Sequence, residues 1–320
     1  MGIENKFKFK SKAASLLVGV SMLAISSTAS GLETLPEDKS MSGMKIELVG
    51  RDDLWTYKSC DNYNESPLTK SYVDAGKLPP VNERMPKEPW MAKTDQMVDG
   101  IGEYGGTFRH VIGGRPEGFN WLAGQSQGWG GINIQLMESL TRLGPLWQIK
   151  PDEANPLPNL AKDWEWSSDR KSLTMNLIEG ARWSDGDIFD TEDIDFWWND
   201  NVQDANVASR LPKDALGAGT TLEILGPYSF KFNFDEPKGN AVLAQLAYMG
   251  GAPGPSHVMK PLHPAHNSDA TYESYANGMP ASVLPIVTLG AYVPVVHKVD
   301  ELMVMKRNPY YWKVDEECNQ

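Results

Sequence analysis

Tyr228-Ser229-Phe230-Lys231-Phe232-Asn233-Phe234 is a segment in which aromatic and polar side chains alternate without a break. Successive side chains of a β-strand point to opposite faces of a sheet, so this period of two is typical of a half-buried strand. It is the clearest strand pattern among the 320 residues of the chain.

A second strand and a helix are predicted upstream of this segment. Leu173, Met175 and Leu177 alternate with polar residues, which again predicts a half-buried strand. The run Thr191-Glu192-Asp193 is typical of a helix start, because the threonine hydroxyl can cap a free amide and two carboxylates lie at the positive end of the helix dipole. The apolar residues that follow at helical spacing are Ile194, Trp197, Trp198 and Val202.

Three further elements are expected from spacing alone. Residues 132–143 place Ile or Leu at helical intervals before Gly144-Pro145, which predicts a helix that ends there. Residues 104–112 and 302–305 have the patterns of short strands. Strands and helices in irregular order, without repeats, indicate an α/β or mixed α+β protein.

Composition and charge exclude several classes of protein. The apolar fraction is 41% and the mean hydropathy is -0.41, which indicates a soluble globular chain. The formal net charge of -12 disfavours a nucleic-acid partner, because the negatively charged phosphates of nucleic acids repel an acidic protein. The two cysteines, Cys60 and Cys318, lack the spacing of a metal site, and the sequence leaves open whether they pair.

The first 30 residues have the order of a secretory signal peptide. Basic residues precede the apolar run 13–25, and small residues follow it. We therefore expect an exported protein, periplasmic or extracellular. Residues 31–100 are rich in proline and aperiodic, which predicts an N-terminal extension draped over the folded body or partly loose.

Short motifs follow one another between residues 104 and 312. They are Gly105-Gly106-Thr107-Phe108-Arg109, Leu136-Met137-Glu138-Ser139-Leu140, Pro158-Asn159-Leu160-Ala161-Lys162-Asp163-Trp164-Glu165, Trp183-Ser184-Asp185-Gly186-Asp187, Thr191-Glu192-Asp193-Ile194, Leu289-Gly290-Ala291-Tyr292 and Arg307-Asn308-Pro309-Tyr310-Tyr311-Trp312. Their order resembles that of the family 5 extracellular solute-binding proteins, the peptide, oligopeptide and nickel receptors of ABC importers.

The resemblance implies a periplasmic-binding-protein-like lobe with an inserted small subdomain. Residues 101–130 and 223–320 would form the main lobe, and residues 131–222 the inserted subdomain. It implies a monomeric binding protein that delivers a peptide or small-molecule ligand to an ABC permease in the membrane. No enzyme activity, cofactor or metal ion is expected, since capture and delivery change no bond in the ligand.

Family members continue past the N-P-x-Y-W turn into a second large lobe, which the resemblance implies is missing after Gln320. Such proteins close two lobes around their ligand. We therefore expect the 320-residue chain to bind ligand weakly or not at all.

Candidate ligand-binding residues lie in two segments that correspond, through the resemblance, to cleft-facing loops. They are Asn120, Trp121, Trp129, Tyr248, Met249 and Gly250. The aromatic rings can stack on a ligand, although the same rings can instead close the interface between subdomains. Peptides or oligopeptides are the leading cargo, and oligosaccharides are the alternative within the same family.

A hydrolase is the alternative from another class. Gly124-Gln125-Ser126-Gln127-Gly128 matches the G-x-S-x-G pattern, but Ser126 follows a polar and aromatic loop rather than a buried strand. A partner base would have to be His257, His263, His266 or His297. The spacing of His263 and His266 is that of a metal-binding pair, but the flanking prolines predict a solvated loop instead.

Overall fold

Short helices and short strands follow one another in irregular order in the computed structural model. The structure describes residues 48–94, 101–111, 113–128, 131–143, 149–150 and 156–320, which all belong to one compact unit, Glu47–Gln320. The mixed α/β class predicted from the sequence is confirmed.

The strands of this described part are β1 (Trp55–Tyr57), β2 (Trp90–Ala92), β3 (Thr141–Arg142), β4 (Leu157–Pro158), β5 (Ala161–Trp166), β6 (Ser172–Leu177), β7 (Thr221–Gly226), β8 (Ser229–Asn233), β9 (Tyr292–Lys298), β10 (Leu302–Arg307) and β11 (Lys313–Asp315). The α-helices are α1 (Lys70–Asp74), α2 (Val81–Arg84), α3 (Ile132–Leu136), α4 (Thr191–Asp195), α5 (Ala241–Gln245), α6 (Ser256–Met259) and α7 (Tyr272–Ala276).

The alternating aromatic segment forms β8, an inner strand of an antiparallel sheet with the order β5-β6-β8-β7. Phe230 pairs with Met175 of β6, and Phe232 pairs with Leu173. All four side chains are buried in the main hydrophobic core. The two strands predicted from the period of two are confirmed here.

Helix α4 packs on the aromatic face of this sheet and continues as the π-helical segment Phe196–Val202. The ring of Trp198 lies 4.9 Å from that of Phe232. The helix begins where the sequence predicts, but its cap is Asp190, whose carboxylate accepts from the amide of Glu192. The expected capping role of Thr191 is wrong, because its hydroxyl donates to the carbonyl of Gly226 instead.

The helix predicted over residues 132–143 is shorter than expected. Helix α3 ends at Leu136, and Met137 is already extended. The chain then enters β3, which pairs with β4. Leu136 and Leu140 are both buried. Their spacing therefore reflects contacts with the core, which both residues make although no continuous helix joins them.

The short strand predicted over residues 104–112 does not form. Residues 105–111 adopt no regular structure, and Phe108 is 87% exposed. Ile112 lies outside the described residues. A short strand pattern does not suffice here, because no strand of the described residues supplies hydrogen bonds to the segment.

Segments between residues 55 and 92 pack against the last residues of the chain. Strand β2 pairs antiparallel with β1 and parallel with β11. A disulfide joins Cys60 to Cys318, which answers the question that the sequence left open. The buried guanidinium of Arg84 contacts Glu65 and the carbonyl of Pro309.

Candidate ligand-binding pocket

Helix α3 and strands β3 and β11 border an open pocket of about 330 Å³. Residues 247–249, which follow α5, form another part of its wall. The lining residues are Asn133, Ile134, Gln135, Met137, Glu138, Ser139, Arg142, Leu143, Asn159, Ala247, Tyr248, Met249, Ala252, Ala291, Tyr311 and Lys313.

A buried ion pair forms the polar floor of this pocket. The ammonium of Lys313 lies 3.0 Å from Oε1 and 2.9 Å from Oε2 of Glu138. The hydroxyl of Tyr311 donates to Oε1 at 3.0 Å, and Nδ2 of Asn159 donates to Oε2 at 2.9 Å. The side chains of Lys313 and Glu138 are only 8% and 11% exposed, so solvent screens this pair weakly.

Lys313 is surrounded by aromatic rings as well as by its carboxylate partner. Its ammonium lies 4.7 Å from the ring centroid of Trp312 and 5.4 Å from that of Trp90. The pKa of Lys313 is lowered to about 8, chiefly by burial; the adjacent Glu138 opposes this decrease, and the nearby charge of Arg142 contributes to it. Burial also raises the pKa of Tyr311, and the adjacent Glu138 adds to this increase.

The rim of the pocket is more exposed and more apolar than its floor. The Tyr248 side chain is 58% exposed, and Ile134 and Leu143 are also exposed. Nδ2 of Asn133 lies 3.4 Å from the hydroxyl of Tyr248 and 3.3 Å from the sulfur of Met249. These contacts hold the tyrosine ring beside the opening.

The structure brings two of the candidate residues, Tyr248 and Met249, to this pocket. Gly250 lies next in the chain, and its carbonyl accepts from the indole of Trp197 at 3.2 Å. Trp129 lies outside the described residues.

Asn120 and Trp121 are buried in the core and do not line the pocket. The amide of Asn120 donates to the carbonyl of Tyr275 at 2.7 Å and accepts from the backbone of Ala123. The indole of Trp121 donates to the carbonyl of Pro253 at 3.1 Å. Both side chains thus have partners within the protein, and their ligand-binding roles stay predictions.

The sequence did not single out the residues of the pocket floor. Glu138, Asn159 and Tyr311 lie within the motifs that carry the family resemblance, and Lys313 follows the last of these motifs directly. Each is a polar residue among apolar neighbours, which is a signal for a buried polar contact. This signal does not predict which residue each of these side chains contacts.

The structure does not support the hydrolase alternative. Ser126 accepts a hydrogen bond from the amide of Gly128 and has its own amide bonded to Glu117. His257 contacts Asp185 and Asp187, His266 contacts Asp200, and His297 contacts a backbone carbonyl. The segment before Ser126 is the 3-10 turn Trp121–Ala123 rather than a strand, so a nucleophile elbow is not formed.

His263 is buried, so the solvated loop predicted for the histidine pair is wrong at this position. Its ring packs edge-on against Tyr275 at 4.5 Å, and its Nδ1 accepts from the amide of Ala265.

Within the described ranges, no group of three or more histidine, cysteine or carboxylate side chains is arranged to hold a metal ion. No helix in this part of the chain is both long and apolar enough to cross a membrane.

A mixed α/β unit with an open pocket of polar and aromatic side chains has the features of a protein that binds small molecules. Its fold is that of the periplasmic solute-binding proteins, as superposition on solved structures shows. The chain belongs to the bacterial extracellular solute-binding proteins of family 5, whose middle-region model matches residues 155–318.

Three relatives show how similar this chain is to other members of the family. The periplasmic alpha-galactoside-binding protein of Rhizobium meliloti strain 1021 is 48% identical over 96% of this chain and 45% of its own length. The periplasmic binding protein MelB of Agrobacterium fabrum C58, solved in complex with stachyose, has a TM-score of 0.83 and 47% identity over 86% of this chain and 42% of that one. A solved oligopeptide-binding protein OppA has a TM-score of 0.61 and 29% identity, and the match covers 81% of this chain and 40% of that one. The chain thus spans less than half the length of these relatives.

Proposed function

We propose that this protein is an exported substrate-binding component of an ABC importer and that its ligands are oligosaccharides with α-galactoside units. The observation on which this proposal depends is the 48% identity, over nearly the whole chain, to a protein named for binding α-galactosides. The similarity to OppA is lower in both sequence and structure. The oligosaccharide alternative is therefore favoured over the peptides that the sequence placed first.

The pocket is chemically suited to a sugar. A pyranose ring has hydroxyls around its edge and apolar C–H groups on its faces. An exposed tyrosine ring beside the opening can stack on such a face, and polar side chains that line the pocket can bond the hydroxyls. Lys313 and Glu138 neutralise each other, so the floor requires no charged ligand.

The same family membership supports export and delivery to a membrane permease. The disulfide between Cys60 and Cys318 supports export, since disulfides persist mainly in oxidising compartments. The protein would bind its ligand and release it unchanged to the permease, and the partner would supply the energy from ATP.

Ligand-observed NMR tests the choice of cargo, because it detects even weak binding. Saturation transferred from the purified protein should appear on stachyose and not on a tripeptide at the same concentration. Transfer to the tripeptide alone would favour the peptide function instead. Transfer to neither would contradict the proposed function.

A further inference from the structure

The hydrogen-bonding capacity of the pocket is divided between a satisfied floor and an unsatisfied rim. A carboxylate has about four acceptor positions. Glu138 already accepts two hydrogen bonds from Lys313, one from Tyr311 and one from Asn159. Glu138 therefore has no acceptor position left for a ligand.

Two polar side chains of the lining have no hydrogen-bond partner among the described residues. They are the guanidinium of Arg142, on the exposed side of β3, and the amide of Gln135, on α3. Oδ1 of Asn159, deeper in the pocket wall, is buried without a partner. Arg142 and Gln135, rather than the ion pair, therefore have free hydrogen-bonding capacity for a ligand.

The size of the pocket limits what it can enclose. Sites for small molecules usually measure roughly 300–1,000 Å³. At about 330 Å³ this pocket lies at the lower end of that range. A single sugar ring is therefore a suitable occupant, whereas the remaining rings of an oligosaccharide would have to extend beyond the opening.

We propose that the pocket binds one terminal ring of an oligosaccharide, with Tyr248 stacking on the ring face and Arg142 and Gln135 bonding its hydroxyls. This inference rests on the proposed function. The fork of guanidinium N–H groups can donate to two neighbouring hydroxyls, and an amide can both donate and accept. Glu138 and Lys313 are positioning residues, which hold β11 against the segment that follows α3.

Three variants test this assignment in the full chain. Tyr248→Ala, Arg142→Ala and Gln135→Ala should each weaken stachyose binding several-fold, on the order of tenfold for Tyr248→Ala and Arg142→Ala. All three residues are partly or fully exposed, so the midpoint of thermal unfolding should stay near that of the wild type. Matched controls are Tyr72→Ala and Arg109→Ala, which alter exposed residues that do not line the pocket.

A ligand-based readout complements the variants. Saturation transfer in stachyose should concentrate on one end of the molecule, and methyl α-D-galactopyranoside should compete for the same site. Equal transfer along the whole saccharide, or variants that bind as tightly as the wild type, would overturn the inference and leave the proposed function standing. If the wild-type protein binds no stachyose, the proposed function and this inference both fail.

Discussion

Glu138 and Lys313 show how a single residue pair can determine the shape of the pocket. Two charges that are both nearly buried stabilise each other only while both are present. Glu138→Gln removes the negative charge and leaves the ammonium of Lys313 in an apolar surrounding. We expect the free energy of unfolding in urea to fall by about 3 kcal/mol.

An exposed ion pair offers the matched control for this variant. Lys298 and Glu301 lie 3.0 Å apart, and both side chains are mostly exposed. Glu301→Gln should change the free energy of unfolding by less than about 1 kcal/mol. Equal effects of the two substitutions would contradict the structural role given to the buried pair.

His257 gives the protein a stability that depends on pH. The hydrogen bond with Asp185 raises the pKa of His257, burial opposes this, and the charges of Asp185, Asp187 and Asp193 add to the increase. A raised pKa in the folded state contributes stability that is fully present below the unfolded value of about 6.5. That contribution is lost as the pH rises through the higher folded pKa.

The variant His257→Gln should therefore lose more stability in acid than in base. We expect the difference from the wild type in urea unfolding to be larger at about pH 5.5 than at about pH 9. His297→Gln is the matched control, because the ring of His297 contacts a carbonyl rather than a carboxylate. A loss that grows with pH would show that the sign is wrong.

Among the secondary-structure elements, the sequence predicts those in which one face is buried and the other is exposed, because the order of apolar and polar residues then follows the period of the element. Strands β6 and β8 have one apolar and one polar face, so a period of two identifies both. Helix α3 shows the limit of this reasoning. Leu136 and Leu140 are buried as the spacing requires, but the helix ends at Leu136, Met137 is extended, and β3 begins directly after Leu140.

The pocket is less predictable than the sheet, because its residues come from separate elements. Glu138 and Lys313 are 175 positions apart, and no local pattern pairs them. Tyr248 and Met249 were found through the family resemblance, whereas Asn120 and Trp121 from the same reasoning lie in the core. An aromatic or amide side chain looks the same in sequence whether its partner is a ligand or a backbone carbonyl.

The disulfide links two segments that pack together through β2 and β11. Cys60 and Cys318 are separated by 258 positions, so the bond restricts a long loop of the unfolded chain. The double variant Cys60→Ser/Cys318→Ser should lower the free energy of unfolding by roughly 2–5 kcal/mol. Thermal unfolding with and without reductant measures this effect.

The response to reductant supplies the control for the disulfide. The wild type should lose stability when reductant is added, and the double variant should not respond. An unchanged midpoint of thermal unfolding in the double variant, compared with the oxidised wild type, would contradict the stabilising role of this bond.

The whole molecule combines the fold of its family with a candidate ligand pocket. The chain spans less than half the length of its relatives, and the proposed ligand would extend beyond the pocket opening. Because the pocket encloses only one ring of the proposed ligand, binding is expected to be weak. The location of the bound sugar is therefore more informative than its affinity.

Amide chemical-shift mapping of the isotope-labelled protein with stachyose shows directly whether the sugar occupies this pocket. We expect the largest shifts on the amides of Gln135, Arg142 and Tyr248, with smaller ones at Ile224 and Leu225 of β7, which do not line the pocket. Shifts that are absent, or that cluster away from the pocket, would contradict sugar binding at this site.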